Sequence, residues 1–224
     1  MNRLQTHVKW RLGILVALVY LLIPYTLGIE SDVQITDQLT FFVNWLIIAV
    51  IAAWFVHRSH PRNSLELILL GVFVFYLYIL HQLVSYIPLS FYLSGEYTRD
   101  LSIIWENVNL VPFQTIQHVF IYPISETHHI IQSGGNLLLL VPFAFILRLF
   151  GFTASVVKTT AVVFFISIGI ESFQFVLNLL ASGHAGIAPE SKTRTIDIDD
   201  VILNTLGGYL GALLYSFYSK KMKR

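Results

Sequence analysis

The chain has 224 residues, 55% of them hydrophobic and only 12% charged, with a formal net charge of +1 and no cysteine. A mean hydropathy of +0.69 gives it lipid as its main solvent and excludes an ordinary soluble globule. The near-neutral charge argues against a nucleic-acid partner, and the missing thiols exclude disulfides, thiolate metal sites and cysteine nucleophiles.

Six apolar runs, bounded by polar or charged residues, begin near Gly13, Leu39, Leu65, Asn136, Val156 and Val201. Crossing about 30 Å of hydrocarbon takes roughly 17 to 25 apolar residues. Backbone amides in lipid must be satisfied within their own segment, so these runs predict helices. The fold class is therefore all-α, a polytopic transmembrane bundle of about six spans. The first run, near Gly13 to Ile29, follows Arg3, Lys9 and Arg11 and shows no small-residue cleavage pattern before Glu30, which predicts an uncleaved first helix. Arg58 and Arg62 separate spans two and three, Arg148 and Lys158 flank the turn between four and five, and Lys220, Lys221, Lys223 and Arg224 follow span six. Retention of Lys and Arg on the inner side then predicts that both termini are cytoplasmic.

Between spans three and four, the stretch 94–135 holds Asn109, Leu110, Val111, Pro112 and Phe113. It is too short and interrupted to span, yet apolar enough to lie at the interface or dip inward as a lid. His128 and His129 would diverge by about 100° on a helix and read as an exposed loop pair. Span four opens with Gly134, Gly135 and Asn136 at its outer end, with Pro142 farther down. Span five runs outward and places Ser167, Glu171, Gln174 and Asn178 on one helical face. Glu171 falls roughly 14 Å below the outer end near Leu180, at about 1.5 Å per residue. A charge at that depth costs on the order of 3 kcal/mol, so the stripe must face partners rather than lipid.

Span six enters after Arg194, and Asp197, Asp200 and Asn204 share a face that continues into Gly207 and Gly211. The two glycines form a small-xxx-small pair, for which span five is the natural neighbour. For Asp197 and Asp199 alone, simple capping of the helix N-terminus accounts equally well for the carboxylates. Asn109, Asn136, Glu171, Gln174, Arg194, Asp197, Asp200 and Asn204 thus converge on the outer leaflet.

Asn109-Leu-Val-Pro112-Phe113, Asn136 with Pro142, Glu171-x-x-Gln174, and Arg194-x-x-Asp197-x-x-Asp200-x-x-x-Asn204-x-x-Gly207-Gly208-x-x-Gly211 succeed one another in an order that resembles the VanZ-like membrane proteins. The resemblance covers about Leu65 to the C-terminus, giving a VanZ-like domain at 65–224 and two additional N-terminal transmembrane helices at 1–64. Ala144 stands where a glycine is common, and the loop from Leu180 to Arg194 is longer than usual. The family takes its name from a protein associated with low-level resistance to the glycopeptide teicoplanin. That implies a multi-pass protein of the bacterial plasma membrane with a possible part in such resistance.

An outward-facing polar site there suits the headgroup of a membrane lipid, a lipid-linked envelope precursor or an amphiphilic antibiotic. In an enzyme, Glu171, Arg194 and Asp200 are the catalytic candidates: Glu171 would exchange a proton and Arg194 would hold an anionic headgroup. Asn109, Asn136, Gln174, Asp197 and Asn204 would bind and orient the substrate. No nucleophile motif, phosphate-cradling glycine loop or H-E-x-x-H site accompanies them. No cofactor is expected, although Glu171, Asp197, Asp199 and Asp200 with amide oxygens would suit the oxygen shell of Mg²⁺ or Ca²⁺. A non-catalytic binding protein, with Glu171 paired to Arg194, stays open beside the enzyme. A scaffold in which the cluster is structural, and a carrier, stay open too. Against a carrier stand the lone intramembrane carboxylate and an inner half whose only polar hint is His81 and Gln82.

Overall fold

In the computed structural model, the described residues are 3–26, 35–94, 97, 108–121, 127–182 and 196–222. They form helices almost throughout and divide into two compact units, Met1–Gly95 and Glu96–Arg224. Five described stretches are long and apolar enough to cross a membrane: Ile35–Arg58, Ser64–Val84, Ile130–Leu149, Val156–Ala181 and Ile198–Lys221. The all-α, polytopic expectation holds. Large apolar side chains such as Ile68, Val72, Phe165 and Phe217 project outward, the arrangement expected where lipid is the surrounding solvent.

The first unit contains α1 (Arg3–Thr26), α2 (Ile35–Arg58), α3 (Ser64–Val84) and the short α4 (Leu89–Ser94). Leu70, Phe73, Leu77 and Tyr78 form its core, and the rings of Phe55 and Phe73 meet edge-on at 5.1 Å between centroids. Between α1, α2 and α3 lies an apolar cavity of about 250 Å³, lined by Gly13, Ala17, Ala49 and Ala52 among others. The ends of these helices are tied by polar groups. Asn63 Oδ1 accepts from the Glu66 amide at 2.8 Å while Glu66 Oε2 accepts from the Arg62 amide at 2.7 Å, a reciprocal cap of the start of α3. Lys9 Nζ donates to the carbonyls of His57 and Ser59 at 3.1 and 2.9 Å, satisfying groups that the end of α2 leaves open.

A second tie crosses the interior of this unit. Asn44 Nδ2 donates to the carbonyls of Thr40 and Ile87, each at 2.8 Å, and Asn44 Oδ1 accepts from the Ile87 amide at 2.8 Å. His81 joins the same group through Nε2, 3.0 Å from Asn44 Oδ1, and reaches Ser85 Oγ through Nδ1 at 2.7 Å. Both ring nitrogens are therefore occupied, and His81 closes a local network.

The second unit runs β1 (Val108–Asn109), α5 (Gln114–Ile121), α6 (Thr127–Leu139), α7 (Val141–Leu149), α8 (Val156–Ser182), β2 (Ile196–Asp197) and α9 (Ile198–Met222). Its two-residue strands pair in parallel, Val108 with Ile196 and Asn109 with Asp197. α6 and α7 make one broken span: Leu140 interrupts it and Pro142 withholds an amide from the continuing ladder. Gly151 turns the chain toward α8 at φ +76°, a backbone conformation that favours glycine.

α9 lies in the middle of the second unit and packs on α6, α7 and α8. A Cβ on Gly207 would stand 2.1 Å from the Leu137 carbonyl oxygen, and one on Gly211 would stand 2.2 Å from that of Val141. This corrects the expected partner of the small-xxx-small pair. Gly207 and Gly211 face the fourth span, and it is Gly208 that meets α8, at Val163. Two further corrections concern α6, which begins at Thr127. Asn136 therefore sits well inside the helix instead of at its outer end, and His128 and His129 belong to the first turn of α6, not to a loop.

Candidate functional site

The polar stripe of α8 is turned away from the surroundings. Ser167, Glu171, Gln174 and Asn178 are 0, 7, 6 and 7% exposed, although all lie in a stretch apolar enough to span a membrane. On α9 and the strand before it, Asp197 and Asn204 are buried as deeply, at 2 and 1%. The two lines meet. Asn204 Nδ2 donates to Ser167 Oγ at 3.1 Å, and the Asp197 amide donates to Glu171 Oε2 at 3.3 Å. Interhelical bonds of this kind contribute about 0.6 kcal/mol each on average in membrane proteins. Their main effect is to fix register and keep the carboxylate off lipid.

The segment of β1 and α5 closes over the start of α9 through two aspartates. Asn109 Nδ2 donates to Asp197 Oδ1 at 3.1 Å, and the Thr115 hydroxyl donates to Asp197 Oδ2. The Asp199 amide donates to Asp197 Oδ1 at 2.9 Å, so Asp197 also caps the first turn of its own helix. Asp199 accepts from the Phe113 amide through Oδ1 and from the Ile116 amide at 3.0 Å through Oδ2. These amides belong to the start of α5, where free N–H groups and the helix dipole favour an anion. Asp199 is thus an N-terminal cap supplied from another helix. The bond also holds Phe113 at φ 67°, a left-handed conformation that costs a bulky residue on the order of 1 kcal/mol or more. The outer side of this segment is apolar: Leu110, Val111, Phe113 and Phe120 are all exposed.

Asp200 points elsewhere. Its carboxylate lies beside the side-chain amides of Gln132 and Asn136 on α6, and it is itself buried. Asp200 therefore looks toward α6 and Asn204 toward Ser167 on α8, whereas Asp197 and Asp199 look toward β1 and α5.

Of the residues expected to form a site, hydrogen bonds gather Asn109, Glu171 and Asp197, Asn136 lies against Asp200, and Asn204 bonds instead to Ser167. Gln174 shares the buried face of α8 with Glu171. Arg194 lies outside the described residues, as does its expected pairing with Glu171. The sequence reading missed Thr115, Gln132 and Ser133. Thr115 sits in a segment without periodicity, and the other two precede the apolar run that marked span four. Among the described residues, no group of three or more His, Asp or Glu is arranged to hold a metal ion.

The family model described as VanZ/LLP1 matches residues 73–219. No curated protein and no solved structure matches the chain. The match takes in every candidate site residue and well over half of the sequence: the chain is a membrane protein that belongs to the VanZ/LLP1 family.

Proposed function

We propose that this protein is a multi-pass component of the bacterial plasma membrane, with six spans and cytoplasmic termini, whose polar cluster opens to the outer leaflet. There it binds or modifies the headgroup of a lipid or lipid-linked envelope precursor, and through that activity contributes to tolerance of teicoplanin-type glycopeptides. The observation that carries this reading is Glu171, a carboxylate buried inside a spanning helix with its Oε2 at 3.3 Å from the amide of Asp197. An ionisable group in such a place is costly, and function is the common reason for keeping it. In the catalytic form Glu171 exchanges a proton with the ligand, with Asp200 on the neighbouring helix and Arg194 anchoring an anionic group. In the binding form the same side chains hold the headgroup without reaction.

A scaffold reading has one observation of its own. The oxygens of Asp197 and Asp199 are committed to donors from β1, α5 and α9, as structural caps would be. Glu171→Gln separates the readings, because it keeps size and hydrogen bonding and removes the charge. Normal protein level with loss of copurifying polar lipid, lipid turnover or glycopeptide tolerance supports the headgroup site. Unchanged behaviour ends the role of Glu171 as acid, base or ionic ligand, and a collapse in protein level favours the scaffold. Arg194→Lys is the companion, since only Arg offers planar two-pronged contact with phosphate or carboxylate.

A further inference from the structure

The apolar cavity of the first unit plays no part in the headgroup reading, and its dimensions describe an occupant. Its wall on α2 runs from Trp45 to Val56, roughly 16 Å at about 1.5 Å per residue. α2 is long and apolar enough to cross a membrane, and Trp45 stands near its middle, so the cavity reaches from the Arg58 end to the mid-plane. That length matches one leaflet, half of about 30 Å of hydrocarbon. The cavity is not sealed. Ile14 and Leu18 line it and are nonetheless 56 and 51% exposed, so it opens at the side of the bundle. A space of about 250 Å³ left empty forfeits the packing contacts of its walls, and smaller dry cavities, of about 150 Å³, take up benzene. Spread over its length, the space has a bore of roughly 4–5 Å, too thin for a helix about 10 Å across and suited to a single hydrocarbon chain.

Charge at the Val56 end names the rest of the molecule. Trp10 lines the cavity there, its ring 6.4 Å from that of His57, and the neighbouring Lys9 is tied to the carbonyls of His57 and Ser59. Arg11 is thereby brought to the same end as Arg58 and Arg62, and all three are exposed. The acid described at that end, Glu66, is buried and accepts from the Arg62 amide in the cap of α3. Exposed guanidinium groups at the mouth of an apolar slot suit a phosphate whose tail enters the slot. We propose that this cavity holds one acyl chain of an anionic phospholipid, with its phosphate at Arg11, Arg58 and Arg62. The site belongs to the first unit alone; it goes beyond the headgroup reading given above and does not depend on it.

The test reconstitutes the full chain in phosphatidylcholine vesicles and quenches its tryptophan fluorescence with a minor fraction of lipid brominated in the acyl chain, either phosphatidylglycerol or phosphatidylcholine. Trp10 and Trp45 line the cavity, while Trp54, 50% exposed, reports ordinary lipid contact in both cases. From the quenching curves the wild type is expected to bind phosphatidylglycerol about fivefold more tightly than phosphatidylcholine, the worth of roughly one basic residue near anionic lipid. Ala17→Leu and Ala49→Leu fill the cavity and should bring that ratio near one without lowering the melting temperature in detergent. Arg11→Gln combined with Arg58→Gln, at two exposed positions, should lower the ratio in the same way. A ratio near one in the wild type overturns the proposal, whether a neutral tail or no lipid occupies the space. A preference that survives both filling variants also overturns it, because the lipid then lies on the outer surface, and so does one that survives loss of both arginines. If the filling variants fail to fold, the arginine pair still decides.

Discussion

Asp199→Ala removes the carboxylate that caps α5 and leaves the amides of Phe113 and Ile116 without their acceptor. Hydrogen bonds to a charged group contribute about 1.5–3 kcal/mol each, and the partial exposure of this segment places the pair at the low end, near 3 kcal/mol together. Loss of the cap also releases Phe113 from its left-handed backbone, which returns on the order of 1 kcal/mol. The net cost is then about 2 kcal/mol, a factor of roughly 30 in the opening equilibrium of the segment. Hydrogen exchange followed by mass spectrometry reads this directly. Amides of 113–121 should exchange about 30-fold faster in the variant, while the middle of α8 keeps its wild-type rate. Asp199→Asn retains one acceptor oxygen and should fall between. Exchange of 113–121 at the wild-type rate in Asp199→Ala would refute the proposed cap, and equal acceleration everywhere would show that Asp199 supports the whole unit instead of one segment.

Gly207→Ala drives a methyl group into the Leu137 carbonyl, a backbone atom that cannot turn aside, and thermal unfolding should show a loss of about 1–3 kcal/mol. Gly71→Ala meets only the end of the flexible Leu12 side chain, at 2.7 Å, so its melting temperature should lie much closer to wild type; the reverse order would contradict the packing of α9. Asn44→Leu breaks the bonds to the Thr40 and Ile87 carbonyls and the Ile87 amide and leaves His81 Nε2 unpaired. A loss of about 2–3 kcal/mol is expected from the buried groups left open, measured by thermal unfolding, with His81→Gln milder because it retains polar atoms.

Spanning helices were legible because their signal is local. Lipid allows one solution to the backbone, so length and apolarity name the helix, and the spacing of Ser167, Glu171, Gln174 and Asn178 names its buried face. Periodicity does not say which helix that face will meet. Gly207 and Gly211 advertise close contact wherever they lie, and only the three-dimensional arrangement gave that contact to Leu137 and Val141. The start of α6 was hidden for a related reason. Thr127, Gln132 and Ser133 lower the hydropathy of a helix that begins before the apolar run, so a reading keyed to hydrocarbon began it too late. The bond from Asn109 to Asp197 joins residues 88 apart in sequence, and no short-range pattern encodes such a pairing.

Asp197, Asp199 and Asp200 differ in sequence position by a few residues and in work by their direction on the chain. Asp197, at the end of β2, looks toward Asn109 and Thr115. Asp199 turns to the amides of α5, and Asp200, a step of roughly 100° farther around the helix, faces Gln132 and Asn136. Capping therefore explains the first two and leaves the third unexplained, because an acidic side chain at a helix N-terminus gains the dipole term from any direction and needs no amide-rich wall of α6 to gain it. The Gly207 and Gly211 contacts supply the missing geometry: with α6 drawn against α9 at backbone distance, Asp200 comes beside Gln132 and Asn136, while Asn204 bonds to Ser167 of α8. The same close packing that holds the second unit together thus gives a buried acid amide partners from a neighbouring helix, the compensation that an ionisable group in a spanning helix requires.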